Sequence, residues 1–327
     1  MSGPADAGQH TLEPHRRALQ VHCYRMLGSF HDAEDAVQET FVRAWHGLPA
    51  FEGRASVRNW LYRIATNVCL NALAARAAAS RVLPQDVGPP TDQMPDREPA
   101  TDIPWLEPYP DALLEGVADD RPGPDARYEL RESVHLAFVA AIQRLPPRQR
   151  AVLLLRDVMG WSAVETAELL ESSVAAVNSA LQRARTELQD RLPPSGARVE
   201  TVSDRDRALL DRYVRAWEQA DAGEFTALLK EDAVFTMPPW RQWYRGPRDI
   251  AAFFARTARP GGPAPFRLVP TRANGQMAFA FYTRWHSLDW RLHSIQIVTI
   301  GEGAIAGMTS FVVPALGSAF GLPSVLP

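Results

Sequence analysis

Two proline-rich breaks divide this chain into segments whose apolar residues follow different periods, and that change of period constrains the fold more than any single motif. Over residues 10–81 apolar positions recur at steps of three and four, with strong breakers only near Gly47, Pro49 and Gly53. A second helical block covers residues 125–192 and stops at Pro193, Pro194 and Gly196. Residues 203–220 read as a further helix through Leu210, Tyr213, Val214 and Trp217. The pattern then turns to strands, because 278–285, 290–300 and 305–313 are rich in aromatic and β-branched residues. A chain of 327 residues with these segments is expected to be multidomain, each domain with its own core. The expected fold class is two all-α helical domains, the second containing a helix-turn-helix, followed by a C-terminal α+β domain.

The net charge of −3 excludes a generally basic, nucleic-acid-coating protein, so any DNA contact has to be local. The cations are almost all arginine, with Lys230 the only lysine. Arginine suits bidentate phosphate and guanine recognition, and a GC-rich genome accounts for the same bias. Cys23 and Cys69 fall in helical apolar patterns without ligand spacing. They read as buried hydrophobes in a reducing compartment, with no metal and no cofactor implied. No run of about 18 apolar residues occurs, so no membrane partner and a cytoplasmic location are expected.

Residues 82–124 carry many prolines and a run of acids, including Asp86, Asp92, Asp96, Glu98, Asp102, Asp119 and Asp120, which is the composition of a linker. Within it, 103–114 (IPWLEPYPDALL) holds Trp105, Leu106 and Tyr109, which a solvated spacer does not need. This piece is expected to dock, either on its own chain or on a partner.

Over 32–46, Ala33, Ala36, Val37, Thr40, Phe41, Ala44 and Trp45 share one helical face, leaving Asp32, Asp35, Gln38 and Glu39 on the other. Such an acidic face is either solvated or a docking surface. A helix over 57–75 buries Leu61, Ile64, Ala65, Val68 and Ala72 and presents Asn59, Arg63, Thr66, Asn67 and Asn71. Amides and arginines pair with base edges and phosphates. The preceding loop offers Gly53, Arg54, Ser56 and Arg58, and Ser56 reads equally as a helix cap. Trp60, Tyr62 and Trp45 are available for stacking on bases, with Trp45 placed on the packed face.

The stretch DAEDAVQETFVRAW followed by F-x-G-R-A-S-x-R-x-W-L-Y-R-I-A-x-N resembles the second region of extracytoplasmic-function sigma factors. By that resemblance Asp32, Asp35, Gln38 and Glu39 would dock on the clamp helices of core RNA polymerase. Arg54, Ser56, Arg58, Trp60, Arg63, Asn67 and Asn71 would capture the melted minus-ten strand of promoter DNA. Each base taken out of the stack costs a few kcal/mol, which a polar loop beside a polar helix can offset.

In the second block, helices are expected over 129–144 and 147–158, then 162–170, a turn at 171–173 and a helix over 174–191, which is helix-turn-helix spacing. Val174, Val177, Leu181, Ala184 and Leu188 form the packed stripe of the last helix, and Ser172 and Ser173 lie at its start. The phrases L-P-x-R-Q-R-x-V-L-L-L-R and S-V-x-A-V-x-S-x-L-x-R-A-R resemble the fourth region of the same sigma factors. That implies contact with the polymerase flap, and with the minus-thirty-five element through Ser172, Ser173, Asn178, Ser179, Gln182, Arg183 and Arg185. The chain departs from the family in the turn, where Glu171 stands in place of the usual glycine; a left-handed non-glycine costs about 1 kcal/mol. By the same resemblance, the acidic connector is a flexible tether between two promoter-binding domains.

The C-terminal order of two helices, a short strand over 233–237, a helix over 247–258 and three or four long strands resembles the cone-shaped SnoaL-like domains of the NTF2-like superfold. Such a cone implies an apolar pocket with a small-molecule ligand, for which Trp240, Trp243, Tyr244, Trp285, His286 and His293 are the candidates, near Phe254 and Phe281. An enzyme would need an acid/base pair such as Asp232 with His286 or His293. Core aromatics and satisfied structural histidines are the plainer reading, so the domain is expected to regulate rather than catalyse. The resulting domain map is 10–81, a linker over 82–124, 125–194 and 203–327. A helix-turn-helix repressor fits less well, since nothing provides a dimerising coiled coil.

Overall fold

The computed structural model describes residues 12–53, 56–76, 80–115, 117, 133–189, 203–258, 265–285 and 288–326. They fall into two compact units, residues 1–81 with 113–198 and residues 82–112 with 199–327. Most of the stretch expected as a linker is therefore part of the C-terminal unit.

The helical unit begins with α1 (Arg16–Leu27), α2 (Phe30–Gly47) and α3 (Val57–Ala75). Gly28 closes α1 at φ 69°, a left-handed conformation that glycine adopts without a Cβ penalty. Ser29 then caps α2 by accepting from the Asp32 amide at 3.1 Å. Leu19, Cys23, Met26, Ala33, Val37, Leu61, Ala65 and Cys69 are buried, as their three- and four-residue spacing requires.

The second block contains α4 (Leu136–Gln143), α5 (Pro147–Leu153) with a π turn over Leu154–Val158, α6 (Ala163–Leu169) and α7 (Val174–Gln189). Residues 129–132 of the helix expected over 129–144 lie outside the described residues, and the helix starts only at Leu136. Ser162 and Glu165 form a reciprocal capping box on α6 at 3.1 and 2.8 Å.

Arg150 joins the two helical blocks. It is 1% exposed, and its guanidinium donates to the carbonyls of Ile142 at 2.9 Å, Gln143 at 2.6 Å and Leu145 at 3.2 Å. It also donates to the Met26 carbonyl and, at 2.6 Å, to Gln143 Oε1, while Gln143 Nε2 reaches the Arg25 carbonyl at 2.9 Å. Burial lowers the Arg150 pKa to about 10, which leaves it charged at neutral pH.

The C-terminal unit carries α8 (Asp204–Glu218), α9 (Ala222–Ala227) and α10 (Gly246–Thr257) on a sheet of β1 (Leu229–Thr236), β2 (Trp243–Arg245), β3 (Phe266–Ala273), β4 (Gln276–Thr283), β5 (Trp290–Gly301), β6 (Ala304–Phe311) and β7 (Val325–Leu326). The strand order is β2-β1-β6-β5-β4-β3, with β7 beside β5. β1 runs parallel to β6 and every other pairing is antiparallel, so the sheet is mixed. Asn274 and Gly275, at φ 55° and 73°, turn β3 into β4, the two-residue hairpin that an Asn-Gly pair favours. β3 went unnoticed in the sequence because Pro270 interrupts its alternation.

Rings fill the space between helices and sheet. Trp217 lies 4.6 to 5.2 Å from Phe225, Phe254, Phe266 and Phe281, and Phe225 stacks on Phe254 at 4.2 Å. Phe254 and Phe281, expected beside a pocket, are members of this core.

Candidate nucleic-acid interface

On α2, Asp35, Gln38 and Glu39 are exposed, and Glu39 pairs with Arg43 at 2.7 Å. Asp32, placed on the same exposed face, is largely covered. Arg76 donates to Asp32 Oδ1 at 2.6 Å and Arg81 to Oδ2 at 3.1 Å, leaving its side chain 13% exposed. Burial alone would raise the Asp32 pKa, but the two guanidiniums outweigh it and hold the carboxyl below its ordinary value. Trp45 is a second correction: it is 56% exposed beside Val42 at 49% and stacks on His46. Phe41, assigned to the packed face, is half-buried under the Arg16 guanidinium at 4.5 Å.

On α3, Arg63 and Asn71 are exposed and Asn67 half-buried, at four-residue steps along one face. Ser56 caps the helix, accepting from the Asn59 amide at 3.1 Å. Arg58 lies 5.4 Å from the ring of Tyr62, which is buried and therefore withdrawn from any stacking role. Trp60 is half-buried against Phe51 at 4.8 Å. Arg54 lies outside the described residues.

On the helix-turn-helix, Ser172, Ser173, Asn178, Ser179, Gln182, Arg183 and Arg185 are all exposed. Ser173 caps α7 by accepting from the Ala176 amide at 3.1 Å. Glu171 takes φ 50°, so the turn keeps its left-handed geometry without glycine. Val174, expected in the packed stripe, is 40% exposed; Val177, Leu181, Ala184 and Leu188 are buried. Arg185 grips Asp157 through two bonds of 2.9 and 2.7 Å. Beside it opens a cleft of about 500 Å³ lined by Arg156, Asn178, Gln182, Arg185 and Gln189.

In the C-terminal unit five of the six pocket candidates fall among the described residues, and three of them donate to main-chain carbonyls. Trp240 Nε1 donates to the Asp96 carbonyl at 2.8 Å, Trp243 Nε1 to the Gly88 carbonyl at 2.7 Å and Tyr244 OH to the Gln93 carbonyl at 2.8 Å. Trp285 meets Phe266 at 5.2 Å and His293 at 4.9 Å, and His286 lies outside the described residues. Asp232 is 3.9 Å from Lys230 Nζ, on an exposed strand position.

Residues 104–111 dock on the same unit. The Tyr109 amide bonds Asn274 Oδ1 at 2.8 Å, and Asp111 accepts from the Gly275 amide at 2.7 Å and from Arg272 at 3.2 Å. Val82 bridges back to Trp105: the Val82 amide donates to the Pro104 carbonyl at 3.1 Å and the Leu106 amide to the Val82 carbonyl at 3.0 Å. These partners were invisible in the sequence; the exposed rows of α3 and α7 were not.

Among the described residues no cluster of His, Cys, Asp and Glu has the geometry to hold a metal. Among them, too, no helix is long and apolar enough to cross a membrane.

Comparison with known proteins places a sigma-70 region 2 at residues 11–79, a sigma-70 region 4 at 135–188 and a SnoaL-like domain at 210–308. Over 325 residues the chain is 42% identical to the ECF RNA polymerase sigma factor SigG of Mycobacterium tuberculosis, spanning 98% of this chain and 85% of that one. It is 29% identical over 190 residues to the ECF RNA polymerase sigma factor SigW of Bacillus subtilis, across 58% of this chain and 91% of the other. The crystal structure of the Mycobacterium tuberculosis extracytoplasmic function sigma factor SigJ aligns over 94% of this chain and 97% of its own with a TM-score of 0.60. At 20% identity that alignment speaks for a common fold.

Proposed function

We propose, because this chain belongs to the ECF RNA polymerase sigma factors, that it starts transcription at promoters with separate minus-thirty-five and minus-ten elements and that its C-terminal unit modulates that activity. The family acts in transcription initiation by binding core RNA polymerase and promoter DNA, and a sigma factor is not itself an enzyme.

The carrying observation is the exposed polar face of α7, Asn178, Ser179, Gln182, Arg183 and Arg185, behind the Ser173 cap. A capped helix with amides and arginines on its free face suits a major groove, with side chains for base edges and phosphates. Arg63, Asn67 and Asn71 on α3, with Ser56, Arg58 and Trp60 at its start, suit a single strand, and Arg54 belongs to the same loop by sequence. Asp35, Gln38 and Glu39 would face the polymerase clamp helices, with Asp32 held beside them by arginine, and the second helical block would meet the flap.

Modulation is supported by the bonds that hold residues 82–112, the stretch between the two sigma regions, on the C-terminal unit. Run-off transcription with core polymerase tests both halves. Full-length protein should yield a specific transcript, and a chain ending at Gly196 should still bind core polymerase but give a different yield. Silence on every template would sink the promoter reading, and equal yields would sink the modulatory one.

A further inference from the structure

Residues 88–102 are held in an unusual way. Three donors of the C-terminal unit, Trp240 Nε1, Trp243 Nε1 and Tyr244 OH, each bond a main-chain carbonyl of the segment, at Asp96, Gly88 and Gln93. Two main-chain bonds add to these, Thr91 amide to Trp243 carbonyl and Ala100 amide to Pro239 carbonyl, both 2.9 Å. Arg256 reaches the Asp92 carbonyl at 3.4 Å, and Arg241 pairs with Asp102 at 2.6 Å.

The segment's own side chains contribute little. Asp92, Gln93, Met94, Asp96, Arg97, Glu98 and Pro99 are all exposed. The neighbouring piece is the opposite, since Trp105, Leu106, Tyr109 and Asp111 are buried. A segment held by polar bonds at the surface opens at low cost, whereas one anchored by buried rings opens only with its domain. The donors do not share that mobility, because Trp243 and Tyr244 are buried at the ring and Tyr244 lies 4.9 Å from Phe253.

We propose that Trp240, Trp243 and Tyr244 form a binding site for a proline-rich peptide read through its main-chain carbonyls, and that residues 88–102 are its resident, releasable ligand. Proline-rich peptides taken up along aromatic donors are a recurring mode of recognition, since proline restricts the ligand's backbone before it binds. The inference goes beyond the sigma activity and rests on the same C-terminal unit as the modulatory reading, but the two fail separately.

Amide hydrogen exchange on the full chain is the first test. Thr91 and Ala100 should be protected relative to the free peptide of residues 88–102, yet exchange faster than Leu106 and Tyr109. Combining Trp243→Phe with Tyr244→Phe keeps an aromatic ring at each position, a smaller one at 243, and removes two donors, and should speed exchange at Thr91 and Ala100 about tenfold or more. Exchange in β4 and β5 should stay unchanged, which checks the fold.

A chain in which a Gly-Gly pair stands in for residues 88–102, whose flanks the Val82–Trp105 bridge keeps together, has lost all three acceptor carbonyls and leaves the site empty. A fluorescent synthetic peptide of residues 88–102 should bind it saturably, and at least about tenfold more weakly to the wild type, whose site is filled. Wild-type exchange at 88–102 as fast as in the free peptide would overturn the proposal, as would equal peptide binding to the emptied and wild-type chains. Should the replaced chain not fold, the wild-type exchange comparison decides alone. Unchanged run-off yield from the emptied chain would end the modulatory reading and leave the peptide site standing.

Discussion

Tyr109 and Asn274 bond each other twice: the Tyr109 amide donates to Asn274 Oδ1 at 2.8 Å, and the Asn274 amide donates to the Tyr109 carbonyl at 2.9 Å. One residue of the β3–β4 turn thus supplies both the left-handed backbone and the acceptor that seats the interregion segment. Asn274→Ala should destabilise the C-terminal unit by about 2 kcal/mol, roughly half from the backbone and half from the lost acceptor. Asn274→Gly should recover the backbone half, as denaturant titration of the two variants would show.

Arg150→Met should cost the helical unit at least about 3 kcal/mol, because it leaves the carbonyls of Met26, Ile142, Gln143 and Leu145 buried without their donor. Urea unfolding followed by circular dichroism measures it. A cost below about 1 kcal/mol would mean that water or a rearranged neighbour replaces the guanidinium.

His22 gives the helical unit a pH dependence. Burial first, and then the charge of Arg25, lower its pKa from 6.5 to about 3, and its Nε2 sits 2.9 Å from Thr66 Oγ1. Between those values the unfolded chain binds a proton that the folded one refuses. Stability is therefore full above pH 6.5 and falls as the pH drops towards 3, by about 1.4 kcal/mol per pH unit. His22→Gln should flatten that slope in unfolding titrations between pH 6.5 and 4.5; an unchanged slope would assign the effect to other groups.

Replacing Arg183 and Arg185 together by alanine should weaken binding to promoter and non-promoter duplex alike. It should lower the slope of log affinity against log salt by about 1.8, at about 0.9 per phosphate contact. Fluorescence anisotropy at several salt concentrations reads this directly. Asp157→Asn, which frees Arg185 from its bidentate partner, should strengthen duplex binding if that arginine reaches phosphate.

Periodicity was enough to locate the helices and most of the exposed rows on α3 and α7, because a buried stripe leaves its complement outside; Thr66, read as part of the α3 row, is instead buried beside His22. The period could not tell the middle of a stripe from its edge, so Trp45 and Val174 were assigned to faces from which they project. The pairing of Asp32 was hidden for another reason: its partners Arg76 and Arg81 are more than forty residues away, and pairing over that separation leaves no local trace. The hold on residues 88–102 was the least legible of all. It uses main-chain carbonyls, which every residue has, so prolines and acids that serve as ligand read as mere spacer.

The bridge between Val82 and Trp105 pinches the interregion segment into a closed loop at its base. Drawn out at about 3.3 Å per residue, the chain from 82 to 105 would reach roughly 75 Å, yet across the bridge its ends stand about 5 Å apart. Nearly all of that span is taken up within the loop, and two main-chain bonds close its neck.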